Sequence, residues 1–182
     1  MPNEELFLIY KKCVFALCFR SQRMNALELD LKARQFFNVY AQSLDQENFA
    51  LWLTLFEPKA CTYEVLSKEN KDLGLPLPIM GCFTFGMIQD RVAMLAKGVL
   101  TFRRSSLLRQ VSNVQAHALE DASIQAKANL VVYQSSEEGV SSLYMVARYE
   151  AILVPGPGDF KIQNMSVIVE SFGIDTMLAV PL

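Results

Sequence analysis

Histidine is nearly missing from this chain. His117 is the only one in 182 residues. A Rieske cluster needs two Cys and two His on its irons, and a mononuclear non-haem iron site needs two His and a carboxylate. One histidine excludes both within this sequence. Cysteine is scarce and scattered: Cys13, Cys18, Cys61 and Cys82 form no C-x-x-C pair. That spacing argues against a structural zinc site and against the disulfide framework of a small secreted domain. The four are read as reduced thiols of a cytoplasmic protein. No G-x-G-x-x-G or phosphate-binding loop occurs. In Gly81-Cys-Phe-Thr-Phe-Gly86 the glycines stand too far apart, and the stretch reads as a loop entering a helix. A strong charge of either sign is lacking too. The formal charge is −2, with Lys and Arg spread along the chain, so no nucleic-acid footprint is expected.

What is present is a large apolar fraction. Hydrophobic residues make up 52% of the chain and charged residues 20%, enough for a sizeable core. At this length one domain is the first expectation. Its proposed extent is residues 25–182, with residues 1–24 as an N-terminal extension. Residues 6–10 and 13–19 are apolar and superficially resemble a signal peptide. Glu4 and Glu5 precede them, however, and Lys11-Lys12 interrupt them, so neither a secretory signal nor a membrane span fits. An amphipathic arm packed on the domain or on a partner is expected there.

Leu29, Ala33, Phe36, Phe37, Tyr40 and Leu44 recur at steps of three and four, which is one face of a helix. Asp45 is a candidate cap for a second helix carrying Phe49, Trp52, Leu53 and Phe56, with Pro58 ending it. The aromatic residues of these two helices are expected in the core rather than around a ligand. Residues 61–66 read as a strand and residues 68–78 as a partner-facing loop. Residues 85–96 read as a helix, with Met87, Val92, Leu95 and Ala96 as its apolar positions and Gly98 as its stop. The pattern then changes to four long segments, 107–119, 123–135, 141–154 and 160–170. Leu143, Met145, Ala147, Tyr149 and Ala151 alternate with Tyr144, Val146, Arg148, Glu150 and Ile152, the period of a strand. Glu137-Glu138-Gly139 and residues 155–159 supply hairpin turns. A last short strand is expected near residues 177–180. Helices followed by antiparallel strands define an α+β fold.

Two groups of residues carry chemical interest. Arg103, Arg104 and Arg109 form a short basic run, read either as a solvated face or as ion pairs across a subunit interface. Glu64, Tyr63 and Tyr40 could populate an acidic pocket in which a carboxylate acts as base. His117, in a strand-like stretch, is expected to be structural.

Several stretches carry a family resemblance. The Arg-rich run leads into Val111-Ser-Asn-Val114, and a later strand carries Leu130-Val-Val-Tyr133. Gln35-Phe-Phe-Asn-Val-Tyr40 and the following Leu44-Asp, with the helix that ends at Phe56, match opening helices of the same kind. Tyr63-Glu-Val65, Asp90-Arg-Val92 and Leu178-Ala-Val-Pro-Leu182 add weaker pieces. Together, over about residues 27–182, these resemble the small (beta) subunit of bacterial aromatic-ring-hydroxylating dioxygenases. The sequence departs from the family pattern at Gly98-Val-Leu-Thr-Phe102, where many members carry a Trp. It departs again at Lys161-Ile-Gln-Asn-Met-Ser-Val167, which has less positive charge.

The resemblance implies the cone-shaped, cystatin-like fold of the nuclear-transport-factor-2-like (SnoaL-like) superfamily, with N-terminal helices on a strongly curved antiparallel sheet. It implies a non-catalytic, structural small subunit in aromatic compound catabolism, with no catalytic, cofactor-binding or metal residues of its own. The Rieske [2Fe-2S] cluster and the mononuclear iron would belong to a large (alpha) subunit. A separate reductase would supply electrons, and a trimer of heterodimers is the implied assembly. The competing reading is a free-standing isomerase or dehydratase, or a ligand-binding module, of the same fold. No nucleic-acid or membrane partner is expected.

Overall fold

A computed structural model describes residues 25–98, 106–157, 159–171, 174 and 178–182. Helix α1 spans Ala26–Asp45. It starts where Asn25 accepts a hydrogen bond from the Leu27 N–H (3.0 Å), satisfying a donor that the first turn leaves free. Its inner face is the one read from the spacing: Leu29, Ala33, Phe36, Phe37, Tyr40 and Leu44 are all buried. Helix α2 is short, Phe49–Thr54. Its cap is Asn48, which accepts from the Leu51 N–H (3.1 Å), and not Asp45. Asp45 stays inside the last turn of α1, held by a distant partner described below. Pro58 does not end α2 either. The chain leaves the helix at Leu55 because its backbone is taken up by the sheet, with Ile162 N donating to Leu55 O (2.7 Å) and Glu57 N to Ile162 O (2.9 Å).

Strand β1 is Thr62–Ser67. The expected loop after it is helical at its start: α3, Lys68–Asp72, is capped by the Ser67 hydroxyl, which accepts from Asn70 N–H (3.2 Å). The stretch read as loop before the next helix contains a short strand, β2 (Met80–Cys82), paired antiparallel to β1. Helix α4, Phe85–Ala96, has the expected bounds. Gly98 follows at φ +66°, the left-handed conformation favoured after a helix end. Its buried residues are Ile88 and Leu95, while Met87 and Ala96 face outward. Met87 is turned aside because its sulfur accepts from the Phe83 N–H (3.4 Å).

The long strands are β3 (Ser106–Ala118), β4 (Ile124–Ser135), β5 (Ser141–Pro155) and β6 (Phe160–Val169). They join in one six-stranded sheet in the order β2-β1-β6-β5-β4-β3. All neighbours are antiparallel except β1 and β6, which run parallel, a pairing the sequence reading did not anticipate. Gly139, at φ +89°, supplies the β4–β5 turn that the sequence marked. Register shifts interrupt β3 between Ser112 and Gln115, β4 at Val132–Tyr133 and β5 at Ile152–Leu153. Such bulges bend strands and raise their twist, so the sheet can curve around α1. Residues 178–180 are not a strand.

The core lies between α1, α2 and the inner sheet face, and aromatic rings fill it. Tyr149 stacks on Phe37 with centroids 5.5 Å apart and planes 8° from parallel. Trp52 meets Phe56 and Tyr63 edge-on at 4.8 and 5.6 Å. Such rings contribute burial plus roughly 0.5–1.5 kcal/mol per well-placed pair. Phe37→Ala is therefore expected to cost about 3–5 kcal/mol in urea unfolding. Leu27→Ala, at a position 75% exposed, is expected to change stability by less than about 0.5 kcal/mol.

Candidate functional site

Arg109 is the centre of the polar structure inside the cone. On β3 it shares the inward phase of Leu107 and Val111, and its side chain is 0% exposed. Its Nη1 donates to Asp45 Oδ1 (2.6 Å) and its Nη2 to the Pro181 carbonyl (2.6 Å). Its backbone N–H is shared between the two Asp45 oxygens, at 3.2 and 3.1 Å. A carboxylate in the last turn of a helix is disfavoured by the helix dipole. The guanidinium offsets this, and the pair ties the end of α1 to β3. Arg109 is therefore neither on a solvated face nor pairing across a subunit interface. Its signal in the sequence was one charge on an otherwise apolar phase of a strand. Arg103 and Arg104 lie outside the described residues.

The last residues of the sequence enter the same space. Leu182 is fully buried. Its carbonyl accepts from the Tyr40 hydroxyl (2.9 Å), and its N–H donates to the Tyr63 hydroxyl (2.9 Å). Arg91 Nη1 donates to the Ala179 carbonyl (2.9 Å), holding the tail from the side of α4. Tyr40 and Tyr63, named from the sequence as pocket residues, do converge, but on the chain's own tail. Glu64 does not join them. Consecutive strand residues point to opposite faces, so Glu64 lies on the other side of β1. There it accepts from the Ser166 hydroxyl (2.8 Å). The carboxylate base of the isomerase reading is thus outside the cone. Three buried polar atoms in this region, Trp52 Nε1, Tyr149 Oη and Arg109 Nε, have no hydrogen-bond partner.

His117 is exposed on β3 opposite Gln125, so it takes no place in the core. Cys61 and Cys82 are free and buried. Burial pushes the Cys61 thiol up, and the Glu57 carboxylate adds to this. Cys13 and Cys18 lie outside the described residues. Among the described residues no group of three or more His, Cys, Asp or Glu is placed to hold a metal ion. The donor set therefore does not fit a Rieske cluster or an iron site. Also among the described residues, no helix is long and apolar enough to cross a membrane.

Two apolar surfaces are exposed. One is a cross-strand row on the outer sheet face, Leu108–Tyr133–Leu143, beside Val146. The other is the stretch carrying Leu73, Leu75, Leu77, Ile79 and Phe83. Contiguous exposed apolar surface of this kind is characteristic of protein interfaces.

Helices from the N-terminal half packed on one curved, six-stranded mixed sheet make this the cone-shaped, nuclear-transport-factor-2-like fold. Residues 40–175 match the family model described as ring hydroxylating beta subunit, and the chain belongs to that family. It is 31% identical over 145 residues to the anthranilate 1,2-dioxygenase small subunit of Burkholderia cepacia, covering 80% of this chain and 89% of the relative. A solved structure assigned as the beta subunit of an aromatic-ring-hydroxylating dioxygenase of Novosphingobium aromaticivorans superposes with a TM-score of 0.74 at 27% identity, over 84% of this chain and 96% of that one. A naphthalene 1,2-dioxygenase chain gives a TM-score of 0.73 at 17% identity with full coverage of both chains, a likeness that speaks for the fold.

The tyrosines give a pH prediction. Burial pushes the Tyr63 hydroxyl up to about 12, and burial also lifts Tyr40 and Tyr149. An unfolded phenol loses its proton near pH 10. The unfolded state then binds fewer protons than the folded one, so stability falls as pH rises through the window from about 10 to 12. Followed by phenolate absorbance, Tyr40, Tyr63 and Tyr149 should ionise only as the fold is lost. Ionisation of all six tyrosines near pH 10 in the folded protein would contradict this.

Proposed function

We propose that this chain is the non-catalytic, structural small subunit of a multicomponent aromatic-ring-hydroxylating dioxygenase, and that it contributes shape and stability while a large subunit carries the iron. Family membership over residues 40–175 is the observation that carries the reading. The interior of the cone supports it. The space is filled by aromatic rings and by Leu182, and Glu64 is turned away from it. No catalytic, cofactor-binding or metal role is assigned to any residue of this chain.

The assembly we propose pairs each chain with a large (alpha) subunit holding a Rieske [2Fe-2S] cluster and a mononuclear iron, in a trimer of such heterodimers. The apolar row on the outer sheet face and the stretch around Leu73–Phe83 supply surfaces for two kinds of contact, one to the large subunit and one to further copies. Residues 25–182 act as one domain, residues 1–24 as an extension, and the assembly works in the cytoplasm. The relatives named for anthranilate and terephthalate support an aromatic acid as its substrate.

Co-expression with the cognate large subunit should give one complex on size exclusion, with iron bound in it and absent from this chain purified alone. A chain that elutes apart from the large subunit would refute the proposal, as would iron that stays with this chain.

A further inference from the structure

The end of the chain occupies the place where a cone fold has room for a ligand, and it does so in the manner of a ligand. Leu182 presents an apolar side chain, fully buried, and one acceptor oxygen. The walls around it are aromatic, and their polar tips turn toward the tail: Tyr40 donates to its carbonyl and Tyr63 accepts from its N–H. The tail belongs to no strand, and its recorded hydrogen bonds come from side chains, those of Tyr40, Tyr63, Arg91 and Arg109. Open clefts of about 470 and 350 Å³ flank it, one reaching Val180 beside Asp45 and Arg109, the other reaching Leu178 and Ala179 beside Arg91.

The tail also leaves this space incompletely satisfied. Trp52 Nε1, Tyr149 Oη and Arg109 Nε are buried without a partner. They belong to the same shell: Trp52 and Tyr149 pack their rings against Tyr40, and Arg109 holds Pro181. Buried donors without acceptors are uncommon in folded proteins and point to a group that can accept from them. Here the donors exceed the acceptors that the tail offers, one of them is cationic, and the walls are apolar.

We propose that the cone holds a latent binding site for a small apolar carboxylate, and that residues 179–182 are a releasable internal occupant of that site. An apolar body reproduces the Leu182 side chain. A carboxylate reproduces its carbonyl oxygen and adds a second acceptor for the surplus donors, with Arg109 nearby to favour the negative charge. This goes beyond the structural role proposed above and does not depend on it.

The chain carries one tryptophan, Trp52, so its fluorescence reads the cone directly. The probe is benzoate, added to the full-length chain and to two full-length variants, Leu182→Gly and the milder Leu182→Ala. A tail that occupies the site lowers apparent affinity by the fraction of molecules in which it is closed. Benzoate should therefore give a saturable change in Trp52 emission in both variants at concentrations at least roughly tenfold lower than in the native chain. The tetrapeptide Ala-Val-Pro-Leu, which matches residues 179–182, should reverse the signal. Adding Tyr149→Phe to either variant should weaken benzoate binding. The proposal is overturned if neither variant responds saturably, if the native chain responds equally, or if the peptide fails to displace benzoate.

Discussion

A guanidinium with no exposure to solvent needs partners, because an isolated charge in an apolar interior is among the least tolerable features of a fold. Arg109 finds them in two parts of the chain remote in sequence. Asp45, at the end of the first helix, gives it a carboxylate, and Pro181, next to the last residue, gives it a carbonyl. Each partner is placed by the same contact it provides. The helix end is fixed against β3, and the tail is drawn over the mouth of the cone. Breaking such a pair leaves the remaining charge stranded, which is far more destabilising than never having had the pair.

The rest of the interior follows from that closure. Once the tail is anchored at Pro181, Leu182 reaches the hydroxyls of Tyr40 and Tyr63, and these phenols become wholly buried. Their rings extend the aromatic packing of Phe37, Trp52, Phe56 and Tyr149. The cone is therefore a filled scaffold, and the surfaces left for function are outside it: the Leu108–Tyr133–Leu143 row and the apolar stretch before α4. This is the economy expected of a subunit in the ring hydroxylating beta family, where shape and contact area matter more than an internal site.

Much of this was legible in the sequence because it rests on periodicity. The inner face of α1 and the buried side of β5 follow directly from apolar residues at helical and strand spacing. Leu143 is the instructive exception. It keeps the phase of Met145 and Tyr149 in sequence but lies exposed. In the ladder it pairs with Tyr133 just past the β4 bulge, which moves both residues to the outer face. The short strand β2 was not legible, since three residues carry no period and its existence depends on pairing with β1. Asp45 was misread for the same kind of reason. Its composition suits a cap, but its carboxylate serves a residue 64 positions away, and no local rule reports that. The family resemblance, by contrast, was carried by short exact pieces such as Val111-Ser-Asn-Val114, and its scale matches the family region.

The measurement that tests this account most directly is a double-mutant cycle between Asp45 and Arg109, using Asp45→Asn, Arg109→Met and the double variant in urea unfolding. If the pair closes the cone, each single substitution costs about 3 kcal/mol or more. The double variant then costs less than the sum by at least about 1 kcal/mol, since removing the second partner relieves a stranded group. Strict additivity, or single costs within about 0.5 kcal/mol of zero, would contradict the claim that this buried ion pair holds the structure together.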